Sequence, residues 1–82
     1  MKITWDTPKR LANLDKHGMD FATLTVEFFE TATVFPAKKG RYIAFGQLNG
    51  VPVIAVVFAT LGTEAISVIS MRRASPTERK RL

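Results

Sequence analysis

Hydrophobic spacing along the chain switches between the helical and the strand period, and each switch marks an element. Residues 2–5 (KITW) read as a short strand. Asp6-Thr7-Pro8 starts a helix. Asp or Thr caps it, and proline in the first turn costs nothing because that N–H has no helical partner. Leu11 and Leu14 stand at i and i+3, and the helix closes at His17-Gly18, with Gly18 as the left-handed residue beyond the last turn. Asp20 then caps a second helix over FATLTVEFF, where Phe21, Leu24 and Phe28 share one helical face. Leu24, Val26 and Phe28 also alternate as a strand would; the preceding cap decides for helix.

The remainder has the strand period. Residues 32–35 form a short strand ended by Pro36, and Lys38-Lys39-Gly40 is a loop. Two apolar runs, 41–48 and 51–60, flank Asn49-Gly50, the dipeptide that suits a type I′ hairpin turn with positive φ at both positions. The continuous run VIAVVF marks the second of these as the central strand. Residues 61–64 turn back into a further antiparallel strand, 65–71. Ser75-Pro76-Thr77-Glu78 is a capping box with proline at the first helical position, so a short helix ends the chain. The order β-α-α-β-β-β-β-α predicts one α+β domain over residues 1–82. The helices, two N-terminal ones and a short C-terminal one, pack on one face of a mostly antiparallel sheet of four to five strands.

Composition narrows the chemistry. With no cysteine and one histidine there is no disulfide framework, no thiol nucleophile and no expected metal site or cofactor. No apolar run is long enough for a membrane span, and MKITWDTPKR lacks a signal-peptide core, so a cytoplasmic protein is expected. The net charge of +5 favours a polyanion such as RNA, or an acidic protein partner.

Three runs occur in order: W-D-x-x-K-x-x-x-N-x-x-K-H-G (Trp5 to Gly18), R-Y-x-A-x-G (Arg41 to Gly46) and I-S-x-R-x-A-x-x-x-E-R (Ile69 to Arg79). In these the chain resembles the BrnT toxins of bacterial type II toxin–antitoxin systems. The resemblance implies a RelE-like fold and a ribonuclease that stops translation. It also implies a BrnA-like ribbon-helix-helix antitoxin and operator DNA reached only through that antitoxin. The chain departs from the family pattern in the short stretch PAKKGRY before the second run, and in Ala65 and Ser67 where an arginine is usual. Those departures support a second reading, a basic module that binds an antitoxin-like protein or nucleic acid without cutting.

Metal-independent RNA cleavage needs a base for the 2′-hydroxyl, an acid for the leaving 5′-oxygen and cations against the phosphorane charge. His17 and Lys9 are the candidates for proton transfer or substrate positioning. His17 equally suits a helix C-terminus, and Lys9 a solvated first turn. Arg41 and Arg72, at strand ends, are the candidate phosphate and transition-state stabilisers; ordinary sheet-edge arginines are the alternative. Arg73, Arg79 and Lys80 are candidate RNA contacts, with solvated charge as the plain explanation. Arg73 should face away from Arg72 if the strand runs on. Glu78 is explained by its capping role, and Trp5 by core packing.

Overall fold

A computed structural model describes the backbone of residues 1–82 and the side chains of all but Val51 and Pro52. The elements are β1 (Lys2–Trp5), α1 (Thr7–His17), a single 3₁₀ turn (Phe21–Thr23), α2 (Val26–Thr31), β2 (Thr33–Pro36), a second such turn (Lys38–Gly40), β3 (Arg41–Leu48), β4 (Val51–Leu61), β5 (Ala65–Arg73) and α3 (Pro76–Lys80). One mixed sheet runs in the order β1-β5-β4-β3-β2, with β1 parallel to β5 and every other pair antiparallel. The apolar β4 is central, as its composition predicts. Asn49 and Gly50 both take positive φ (51° and 75°), which closes the β3–β4 hairpin.

Helix α1 runs along the β5 edge, and the 3₁₀ turn at 21–23 and α2 cover one sheet face. There Phe21, Leu24 and Phe28 meet Ala44, Ile54, Val56, Phe58, Ile66, Val68 and Met71. Gly46 belongs to this packing: a Cβ there would stand 3.1 Å from the Phe28 ring. Trp5 meets Phe21 in a tilted, edge-type contact, with ring centroids 6.4 Å apart.

Three features differ from the sequence expectation. The second helix is not continuous over 21–29. Asp20 accepts a hydrogen bond from the Ala22 N–H and starts the 3₁₀ turn. Leu24 is then extended, and Thr25 caps a new helix by accepting from the Phe28 N–H. Two strong caps five residues apart make two short helical pieces, yet the face shared by Phe21, Leu24 and Phe28 survives the break. The strand boundaries also move, to 33–36 with Pro36 included and to 65–73 with both arginines included. Finally, α3 lies over the opposite sheet face from α2, next to Phe45, Ala55 and Ala74.

The first helix buries an unexpected residue. Leu11 and Leu14 are 55% and 39% exposed, whereas Asn13 is 6% exposed. The β1 pairing with β5 ends at Val68, so the β5 edge beyond it lacks a strand partner. Asn13 takes that place. Its Oδ1 accepts the Met71 N–H at 3.0 Å, and its Nδ2 donates to the Met19 carbonyl at 3.0 Å. One side chain thereby ties the sheet edge, α1 and the loop after Gly18 together.

Replacing Asn13 by alanine strands a buried N–H and removes both bonds. The expected loss is about 2–3 kcal/mol of folding stability, checked by urea unfolding.

Candidate functional site

The sheet face opposite α2 is open over much of its area, and strand pairing orders its side chains in rows. Thr4, Ser67, Ala59 and Arg41 form one row; Ser70, Val57, Ile43 and Phe35 form the next; Arg72, Ala55, Phe45 and Thr33 form the third. Small residues keep the middle of this face low. Arg41 and Arg72 sit at opposite corners, about 16 Å apart between Cα atoms by strand spacing and rise. The strand geometry therefore does not bring these two candidates together at one point.

A β-bulge decides which side chains reach this face. Val57 pairs with Ser70 but Phe58 pairs with Val68, so Ile69 is the extra residue. Strict alternation from Ile66 and Val68 would send Ser70 and Arg72 to the core side. The bulge inverts the phase: Met71 enters the core at 1% exposure, and Ser70 and Arg72 turn to the open face. Arg73 then faces the helix-bearing side, opposite Arg72, as expected for a strand that runs on.

At the seam between α1 and the β5 edge, Lys9, Ala12, Asn13, Lys16, His17, Ile69 and Ser70 line a shallow depression of about 200 Å³. The structure thus brings together two of the sequence candidates, Lys9 and His17. It adds Lys16 and Ser70, which sequence reasoning did not single out. The helical spacing of Lys9 and Lys16 was the available signal: seven residues at 100° each place them within about 20° on one stripe.

Arg72 is not free. Its two terminal nitrogens bind Glu78 at 2.7 and 2.9 Å, and Glu78 also accepts the Ser75 N–H. The capping box and the ion pair therefore share one carboxylate, which docks α3 onto the open face. Hydrogen bonds from Arg72 chiefly, and from Ser75, hold the Glu78 carboxyl at about 2 against the opposing effect of burial; the same pair raises Arg72. Beside α3, a groove of about 360 Å³ runs between Phe35, Ile43 and Phe45 of the sheet and Glu78, Arg81 and Leu82. Arg79 and Lys80 are exposed on α3, and Arg41 is exposed at its corner. Tyr42 stacks on Phe58 on the helix-bearing side, with centroids 5.7 Å apart. Among the described residues, no group of three His, Cys, Asp or Glu side chains is gathered as for a metal ion, and no helix is long and apolar enough to cross a membrane.

Residues 5–78 match the family model described as the ribonuclease toxin BrnT of type II toxin–antitoxin systems. The chain is similar to the Brucella abortus ribonuclease toxin BrnT, whose crystal structure was determined at 1.1 Å. The two are 59% identical with a TM-score of 0.86, over 92% of this chain and 97% of that one. No curated protein matches the chain.

The folded-state pKa of Glu78 lies below its ordinary 4.5. Its stabilisation is therefore present above about pH 4.5 and is lost as pH falls toward 2. Both partners are partly exposed, with side-chain accessibilities of 35% and 25%, so screening limits the pair to about 1 kcal/mol. Urea unfolding of the wild type and Glu78→Gln should show that difference near pH 6 and its shrinkage near pH 3. The Asp20 carboxyl, also held at about 2 by Arg10, titrates alike in both proteins and cancels.

Proposed function

The chain belongs to the BrnT family of ribonuclease toxins of type II toxin–antitoxin systems, and we propose that it halts translation by cutting RNA on its open sheet face without a metal ion. One observation carries this reading: Lys9 and His17 line one depression with Ser70, and Ser70 shares its face with Arg72 and Arg41.

In this mechanism the RNA 2′-hydroxyl attacks the adjacent phosphorus and the 5′-oxygen leaves. Imidazole is the side chain suited to exchanging protons near neutral pH, so His17 moves the proton at the reacting oxygens. Lys9 supplies positive charge beside it as the phosphorane forms. Arg41 and Arg72 hold the strand at its two ends, and Arg79 and Lys80 extend the contact along α3. The depression is lined by Lys9, Lys16 and His17 and by no carboxylate, which supports a route that uses side-chain cations for transition-state charge.

A type II family implies an antitoxin partner. The partner proposed is a BrnA-like ribbon-helix-helix protein, and the pair meets operator DNA through that protein. The exposed corner at Arg41 and the apolar groove closed by Arg81 suit an acidic antitoxin segment with an apolar side chain, which would cover the RNA face. A cytoplasmic location accompanies this reading.

The Arg72–Glu78 pair favours the alternative in one respect: a guanidinium already satisfied by a carboxylate is less available to phosphate. In that reading the chain binds its partner without cutting. Induced expression in a bacterial host separates the two. The wild type should arrest growth, and a folded Arg41→Ala/Arg72→Ala variant should restore it. Normal growth with folded, soluble wild-type protein would establish the binding-only module instead.

A further inference from the structure

The two ion pairs found among the described residues are Arg10–Asp20 and Arg72–Glu78. Lys9, Lys16 and His17 belong to neither, although they line the same depression. No carboxylate lines that depression; its polar residues besides these three are Asn13 and Ser70. Asn13 is occupied on both sides by backbone groups.

The local geometry suits an oxyanion. Lys9 and Lys16 stand about 10.5 Å apart along one stripe of α1, within reach of a common point for two flexible lysine stems. Ala12 lies between them and leaves the floor low. The bulge at Ile69 turns the Ser70 hydroxyl to the open face across the seam. Asn13 fixes the helix against the strand, so both walls of the seam are held in register. The C-terminal end of α1 carries about half a negative charge, which opposes an anion, but two full ammonium charges outweigh it.

We propose that this seam is the subsite for one phosphate group of the RNA backbone, held by Lys9 and Lys16 from α1 and by the Ser70 hydroxyl from β5, with His17 beside it. The proposal rests on the ribonuclease reading for the source of the phosphate and adds Lys16 and Ser70 to the residues that touch RNA. Arg41 and Arg72 then hold flanking parts of the strand.

The test is heteronuclear NMR of the purified chain titrated with inorganic phosphate and, separately, with a short 2′-O-methyl RNA that lacks the nucleophile. The RNA should give saturable shifts at His17 and Ser70. Lys9→Ala/Lys16→Ala should raise the dissociation constant about tenfold, and Ser70→Ala about threefold. Lys38→Ala, on the turn before β3, should change it by less than about twofold. RNA shifts that miss the seam, or an equal loss with Lys38→Ala, would overturn the subsite. Seam binding by inorganic phosphate but not by the RNA would also overturn it. A wild type that binds RNA at the seam but fails to cut RNA would sink the ribonuclease reading and leave the subsite standing.

Discussion

The contact between the Asn13 side chain and the Met71 N–H organises the rest of the molecule. The parallel strand β1 covers only the first part of β5, and the chain then leaves the sheet as α1. The uncovered edge of β5 would keep a buried donor without a partner, at a cost of about 1–3 kcal/mol. An asparagine meets this need where leucine would not, because it accepts from the strand and donates to the loop after the helix. With α1 held in this way, its lysine-bearing stripe lies along the bulged part of β5. The bulge sends Met71 inward and Ser70 outward, so one local irregularity serves both the core and the open face.

Charge is distributed unequally over the fold. Arg10 is matched to Asp20 and Arg72 to Glu78, each through two hydrogen bonds, and each pair fastens a helical piece. Arg10 joins α1 to the turn that follows, and Arg72 fastens α3. The lysines at the seam and the arginines at the far corner and on α3 do no such work among the described residues. A surface that leaves its lysines and its histidine unmatched while pairing two arginines internally is suited to an anionic ligand or an acidic partner. Glu78 has a double part in this arrangement: it completes the capping box and holds the Arg72 guanidinium.

Features that depend on a few neighbouring residues were legible in the sequence. The Asn49-Gly50 turn, the left-handed Gly18, the terminal capping box and the apolar central strand are each set locally, and each stands where the residues place it. The α+β class followed from their order, and the family followed from the three motifs. What escaped depends on partners distant in sequence. Asn13 looks like an ordinary helical residue until the end of β1 leaves an edge to cover. The break at Thr25 was hidden because its apolar face continues across the extended Leu24. The bulge had a signal in the apolar positions Ile66, Val68, Ile69 and Met71, whose phase slips once between 68 and 69. Of the candidate site residues, Lys9 and His17 were brought together, Arg72 was found paired, and Arg41 was placed at the far corner.

In the proposed function the RNA's own 2′-hydroxyl is the nucleophile, and protein cations take the place of a metal. The most direct measurement is to incubate the purified chain with RNA in excess EDTA and identify the new ends. The account predicts undiminished cleavage that leaves 2′,3′-cyclic phosphate and 5′-hydroxyl ends, because the attacking oxygen belongs to the RNA itself. Cleavage abolished by EDTA would mean that a metal ion is required, and products with 3′-hydroxyl and 5′-phosphate ends would mean that water is the nucleophile; either would contradict the account.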